Sequence, residues 1–162
     1  MNKKIILYII LIGDILKIDY KRLIMYILIP LILGAVVGFL SGSSDGYKEM
    51  ITPSFAPPGI LFPIVWSILY ILMGVSRYMI YDKDAIRIYN IQLVVNLLWS
   101  FVFFTFKLYL LSFIWIIVLI VLVIIMIRKF YLINKISGLI QIPYVLWLVF
   151  ASILSYSIYI LN

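Results

Sequence analysis

Residues 109–127 read YLLSFIWIIVLIVLVIIMI, a run of 19 residues without a single charged side chain. About 20 consecutive apolar residues are enough for one helix to cross the hydrocarbon core of a bilayer. A strand of a transmembrane barrel would instead alternate apolar and polar residues, and this run does not alternate. The stretch therefore predicts a membrane-spanning α-helix.

The whole chain has a similar composition. Of its 162 residues, 67% are hydrophobic and 12% are charged, and the mean hydropathy is +1.25. Soluble domains are roughly 45–50% apolar and about 25% charged. So few charged side chains cannot cover a soluble fold of this size, which excludes a soluble enzyme and a nucleic-acid-binding module despite a pI of about 9.6. The fold class that remains is an all-α membrane protein with several spans.

The apolar runs divide the chain into five predicted spans joined by short loops. The predicted spans are 23–41, 58–80, 88–106, 109–127 and 138–160, and together they form one five-helix transmembrane domain, 23–162. Residues 1–22 precede it as an N-terminal extension whose apolar run, Ile5–Leu16, is too short to cross a bilayer. That run fits an interfacial segment, a signal-like remnant or an extension without a role of its own.

Basic residues predict the orientation in the membrane. Five spans place the N-terminal segment, the second loop and the fourth loop on one side, and Lys48 and Lys107 are the only basic residues on the other. The first side carries Lys3, Lys4, Lys17, Lys21, Arg22, Arg77, Lys83, Arg87, Arg128, Lys129 and Lys135. The positive-inside rule then predicts a cytoplasmic N-terminus, with the 42–57 loop and the C-terminus outside. We read the basic balance as a topology signal rather than a sign of a nucleic-acid partner, and the Ile-rich, Lys-biased composition fits a prokaryotic plasma membrane.

Residue types that support common catalytic chemistries are missing. The chain has no Cys and no His, so no thiolate nucleophile, imidazole base or zinc site is predicted. All six acidic residues lie outside the five predicted spans, which argues against hydrolysis and against a proton-coupled pump. We predict no catalytic residue, no metal ligand and no resident cofactor.

Aromatic, amide and hydroxyl side chains recur at helical spacing in three spans. On a helix, residues three, four or seven apart share one face, and polar groups within a span normally face protein or a cavity. Ligand sites combine aromatic walls with a few orienting polar groups, so the three stripes predict a pocket; helix-to-helix packing is the alternative. The stripes are Phe62, Trp66 and Tyr70 in the second span, Gln92, Asn96 and Trp99 in the third, and Tyr144, Trp147, Ala151 and Ser155 in the fifth.

Three further patterns predict how single spans pack, face the lipid or bend. Gly34, Gly38 and Gly42 follow one another at steps of four, a spacing that lets a second helix approach closely, within the bundle or in a second protomer. The featureless fourth span predicts a lipid-facing wall, with Trp115 facing lipid near an interface. Pro143 predicts a kink in the fifth span, because proline removes one helix hydrogen bond.

Four segments carry a family resemblance. IPLILGAVVGFLSG, PSFAPPGILFPIVWSILYILMG, QLVVNLLWSFVFF and IPYVLWLVFASILSYSIYILN resemble, in order and spacing, the first, second, third and fifth helices of the TspO/MBR translocator protein family. Members are also called tryptophan-rich sensory proteins or peripheral-type benzodiazepine receptors. The resemblance covers about residues 25–162.

The resemblance implies a five-helix bundle, commonly a homodimer, that binds flat hydrophobic ligands in a cavity among helices 1, 2, 3 and 5 under the 42–57 loop. By this likeness Trp66 and Trp147 match the family's pocket tryptophans, and Asn96 and Trp99 match its third-helix pair. Pro57 and Pro58 match its loop Pro-Pro pair, and Ala151 matches a small residue facing the ligand.

The sequence also departs from the family at identifiable positions. Phe55 and Gly46 stand where the family has loop tryptophans, and Ser155 replaces a common Asn. After Tyr156 no Lys or Arg follows, so the fifth span lacks a sterol-recognition pattern. The expected function is therefore a membrane receptor or sensor for a porphyrin or other tetrapyrrole. The alternatives are a transporter of tetrapyrroles or sterol-like molecules and, second, a porphyrin-degrading activity.

Overall fold

The computed structural model describes residues 18–162, and within them the chain is helical with no strand. In this part of the chain five helices are long and apolar enough to cross a membrane, which confirms the predicted fold class. The interfacial segment proposed for Ile5–Leu16 lies outside the described residues. The helices are α1 Tyr20–Leu40, α2 Ser43–Glu49, α3 Leu61–Tyr78, α4 Lys83–Ser100, α5 Tyr109–Ile133, α6 Lys135–Leu139 and α7 Ile142–Leu161, and α4 continues as a π-helical turn, Phe101–Thr105.

Local capping explains several helix ends. The Asp19 carboxylate accepts a hydrogen bond from the Arg22 backbone N–H, so α1 begins at Tyr20, inside the predicted extension. The Asp82 carboxylate accepts from the Ala85 N–H and begins α4 five residues before the predicted start of that span. At the far end of α4 the π-helical turn gives way to Lys107, which has a positive φ of 54° and turns the chain into α5.

The long helices form a ring in the order α3, α1, α4, α5, α7, and the short helix α6 packs against α3 to close it. Glycine permits the closest crossing. A Cβ at Gly74 would overlap the backbone of Tyr26 and Ile27, so the backbones of α3 and α1 are in direct contact at this crossing. The Gly34 position is filled by the Tyr70 ring of α3, which places that part of the glycine motif within the bundle. Gly42 instead adopts a left-handed φ of 67° at the start of α2.

The prediction that the fourth span is a lipid-facing wall holds for its outer face only, where Ile114, Val118 and Val121 are exposed. One stripe of α5 is fully buried and packs on α4 and α7: Ser112, Ile116, Leu119, Val123, Met126 and Phe130. Trp115 does not face lipid either, because it is half-buried and its indole N–H donates to the Val95 carbonyl of α4 at 2.9 Å. The sequence could not reveal this stripe, since side chains that face the core and those that face lipid are equally apolar.

The predicted kink at Pro143 is also corrected. Pro143 is in the first turn of α7, where its missing N–H leaves no helix hydrogen bond unmade. The helix is interrupted just before Pro143, between α6 and α7. At this interruption the Gln141 side-chain amide donates to the Leu72 carbonyl of α3 at 3.0 Å. The fifth span is therefore two helices, 135–139 and 142–161, instead of one kinked helix.

Candidate ligand-binding site

A chain of buried hydrogen bonds joins three spans at mid-bundle. The Tyr70 hydroxyl donates to Asn96 Oδ1 at 3.1 Å, and Asn96 Nδ2 donates to the Tyr144 hydroxyl at 3.0 Å. Tyr144 in turn donates to Gln92 Oε1 at 3.0 Å. Each hydroxyl donates once, so the four side chains form one directional chain across α3, α4 and α7. The two amides that the sequence placed on one stripe do converge with the tyrosines of the other two stripes.

Aromatic rings fill the space between α3 and α7, whose backbones approach each other less closely than the other neighbouring pairs. Trp66 stacks on Tyr70 with 5.5 Å between ring centroids and meets Tyr144 edge-on at 6.1 Å. Phe62 meets Trp147 edge-on at 5.9 Å. We call this group the aromatic slab; its members are Phe62, Trp66, Tyr70, Tyr144, Trp147 and Phe150.

Two polar atoms beside the slab are buried without a partner. The Trp147 indole N–H and the Ser155 hydroxyl find no hydrogen-bond partner within residues 18–162. The two residues lie eight positions apart on one face of α7, with half-buried Ala151 between them. Leaving a buried donor unmatched costs about 1–3 kcal/mol, so such groups in a native protein call for an explanation such as a ligand or an ordered water.

Trp99 has a different environment from Trp66 and Trp147. Its ring stacks on Phe103 with 4.8 Å between centroids, and its indole N–H donates to the Ser112 carbonyl of α5 at 3.1 Å. Because this N–H is already bonded, Trp99 fastens α4 to α5. Its predicted role as a ligand contact gains no support from its hydrogen bonding.

The predicted loop residues lie on a segment that runs along α7. We call residues 50–60, which contain no helix, the strap. Both backbone groups of Ile51 are bonded by the Asn162 side-chain amide, at 3.0 and 2.9 Å. Further down α7, Phe55 lies edge-on to Phe150 with 6.5 Å between centroids. The strap therefore covers the part of α7 that extends beyond the start of α3.

The end of the strap is fastened to α2 through a residue that the stripes did not single out. The Tyr47 hydroxyl donates to the Pro57 carbonyl at 2.7 Å, and its ring meets Phe62 edge-on at 4.8 Å. Burial raises the pKa of this hydroxyl, which keeps it a donor. Pro57 is half-buried and Pro58 exposed, so the proline pair shapes the strap more than it lines the slab. Tyr47 had no sequence signal, because its bond depends on the folding back of the strap.

Aromatic side chains of α3 and α7 meet between the two helices. Two grooves of about 480 and 490 Å³ open on the surface of the described residues, one along the outer face of α1 and one beside Lys107 and Asn162. No predicted site residue lines either groove. Under the strap the rings of the slab contact one another, so a flat ligand at this place would lie against these rings or part them.

Comparison with known proteins gives the same assignment over nearly the whole transmembrane domain. The family model described as TspO/MBR matches residues 26–161. The chain belongs to the TspO/MBR family. It is 34% identical to the tryptophan-rich protein TspO of Archaeoglobus fulgidus, over 87% of this chain and 97% of that protein. It is 33% identical to the TspO protein of Chlorobaculum tepidum and 31% identical to protein CrtK of Rhodobacter capsulatus, each over 72% of this chain and 78% of the relative.

Membership confirms the resemblance drawn from the four segments. The chain is an integral membrane protein of a family of sensory and translocator proteins. Within residues 18–162, no group of three potential metal ligands comes together.

Proposed function

We propose that this TspO/MBR protein is a membrane receptor or sensor for a flat, conjugated hydrophobic molecule of the porphyrin class, bound at the aromatic slab beneath the strap. The observation that carries this proposal is the buried Trp147 N–H without an acceptor, beside rings that can stack on a planar ligand. A tetrapyrrole offers both a large π face and polar atoms that can accept this hydrogen bond.

The proposed contacts differ in what they contribute. Trp66 and Trp147 supply ring faces, whereas Phe55, Phe62 and Tyr70 supply apolar edges around them. Parting these rings exposes the hydrogen-bonded chain of Gln92, Asn96 and Tyr144, which would orient polar atoms of the ligand. Ala151 and Ser155 line the α7 wall, with the Ser155 hydroxyl free to bond. Pro57 and Pro58 hold the strap above the ligand, and Trp99 contributes only through the position of α4.

Titration of the purified protein with protoporphyrin, followed by porphyrin absorbance, tests the proposal. Trp147→Phe keeps a ring but removes the N–H, and we expect about fivefold weaker binding for the loss of one hydrogen bond. Trp147→Ala also loses stacking and should weaken binding by about tenfold or more. The matched control is Trp115→Phe. The Trp115 indole N–H already donates to the Val95 carbonyl, so its loss should leave the affinity for porphyrin unchanged. Equal affinity of Trp147→Phe and wild type, or equal losses in Trp147→Phe and Trp115→Phe, would place the ligand elsewhere.

Transport and porphyrin degradation are the competing functions. The spanning helices carry no Asp or Glu beyond Asp84 in the first turn of α4, so nothing at mid-bundle would couple movement of a ligand to ions. A flux of porphyrin into protein-containing liposomes would favour a transporter. Porphyrin products formed in the light and absent in the dark would favour degradation. We propose further that the protein is a homodimer in a prokaryotic plasma membrane, with no resident cofactor and no nucleic-acid partner.

A further inference from the structure

The two ends of the bundle differ in how their charges are partnered. At the strap end, Asp45 pairs with Lys48 at 3.2 Å and Glu49 pairs with Lys107 at 3.1 Å. The opposite end, which we call the basic end, has no ion pair among the described residues. Its acidic side chains are Asp19, Asp82 and Asp84, and its basic side chains are Lys21, Arg22, Arg77, Lys83, Arg87, Arg128, Lys129 and Lys135. Among residues 18–162, the basic end therefore carries an excess of positive charge that no salt bridge neutralises.

Two of these cations lie around one tyrosine ring. The Arg77 guanidinium lies 4.4 Å from the centroid of Tyr26, and the Arg22 guanidinium lies 5.5 Å from it. Arg22 also lies 4.5 Å from the centroid of Tyr81. Arg77 is only 8% exposed and donates to the Ile80 carbonyl at the end of α3, which accounts for its placement. Arg22 has no carboxylate partner among residues 18–162: the rings of Tyr26 and Tyr81 hold its guanidinium, and no salt bridge neutralises it there.

An apolar groove begins beside these cations. It has a volume of about 480 Å³ and follows α1 for three turns on the outer face of the bundle. Its walls are Lys21 at one end and then Ile24, Met25, Leu28, Ile29, Ile32 and Leu33. At 1.5 Å per residue it is roughly 18 Å long. A groove with a cation at the membrane interface and only apolar side chains towards the membrane interior has the polarity profile of a phospholipid.

We propose that this groove binds one anionic phospholipid, with its phosphate held by Lys21 and Arg22 and one acyl chain lying along α1. Charge complementarity favours this occupant over a second copy of the chain. Copies related by a two-fold axis along the membrane normal would bring Lys21 and Arg22 against the same residues of the partner, and this like-charge contact opposes association. The site shares no residue with the aromatic slab, so it is independent of the proposed function.

Native mass spectrometry of protein in mixed micelles of phosphatidylglycerol and phosphatidylcholine tests this site. We expect wild type to retain phosphatidylglycerol preferentially, and Lys21→Gln/Arg22→Gln to lower that retention by about tenfold or more, because each basic residue near the surface attracts anionic lipid. Arg128→Gln/Lys129→Gln is the matched control. It removes the same charge from exposed positions of α5 at the basic end and should change retention by less than about twofold.

Two further arms test the groove itself. Leu28→Trp fills the groove without changing charge and should also lower retention of phosphatidylglycerol. Glycerol 3-phosphate, which has the phosphate but no acyl chain, should not compete. Equal losses in the two double variants would mean a general surface attraction and overturn the proposal. Unchanged lipid retention in Leu28→Trp, competition by glycerol 3-phosphate, or disulfide crosslinking of two copies through Ile32→Cys would overturn it as well.

Discussion

At the scale of single residues, Tyr144 is the side chain on which the buried hydrogen bonds converge. Its hydroxyl accepts from Asn96 and donates to Gln92, and its ring is 1% exposed. Asn96 has two bonded partners, whereas the Gln92 Nε2 has no partner among residues 18–162. The amides thus act as helix-to-helix ties in this conformation, which was the alternative to a ligand role.

Tyr144→Phe should destabilise the protein, because it removes one hydroxyl and leaves two buried amide groups without their partner. We expect a loss of about 2 kcal/mol, which thermal unfolding in detergent would detect as a lower Tm. Tyr156→Phe on the same helix is the control, because Tyr156 is 45% exposed. If both variants melt at the same temperature, the hydrogen-bonded chain contributes nothing to stability.

At the scale of helices and segments, the inward face of a helix could be predicted from the sequence only where that face carries polar residues. Gln92, Asn96 and Tyr144 mark the inward faces of α4 and α7, because burial in lipid would leave their polar atoms unbonded. The helix α5 has Ser112 near its start and otherwise no such marker, so its buried stripe gave no signal. The strap was equally hidden, since its course depends on the contacts of Ile51 and Phe55 with residues about 100 positions away.

Asn162→Ala should loosen the strap, because this amide bonds both the N–H and the carbonyl of Ile51. Losing two hydrogen bonds at about 0.5–1.5 kcal/mol each predicts roughly tenfold faster amide exchange around residues 50–55. Hydrogen–deuterium exchange measured by mass spectrometry would show it. Ser157→Ala is the control, since the Ser157 hydroxyl bonds only to Ile153 of its own helix. Identical exchange rates in both variants would contradict a role of the Asn162 amide in holding the strap.

At the scale of the whole molecule, five antiparallel spans separate a basic end from the strap end, and this separation predicts the orientation. The basic end includes the start of α1 and the α5–α6 junction, which the positive-inside rule assigns to the cytoplasm. The number and order of the spans were predictable from hydropathy. Which spans are neighbours was not, because the ring order depends on close contacts such as that of Gly74 with α1.

Single cysteines would test the orientation in this Cys-free chain. We expect Ser54→Cys, on the strap, to react with an impermeant maleimide in intact cells. Lys135→Cys, at the start of α6, should react only after permeabilisation; both positions are exposed. The reverse pattern of labelling would show that the orientation in the membrane is the opposite of the predicted one.

The complete pairing of charges at the strap end has a kinetic consequence. The charges of Asp45, Lys48, Glu49 and Lys107 sum to zero, so these side chains exert little long-range attraction on an approaching anion. A porphyrin carboxylate that enters there is not steered electrostatically, so its association rate should remain in the unsteered range and change little with ionic strength. Entry at the basic end would instead be fast at low ionic strength, and its rate would fall steeply as salt is added. The ionic-strength dependence of the association rate therefore shows at which end of the bundle the ligand enters.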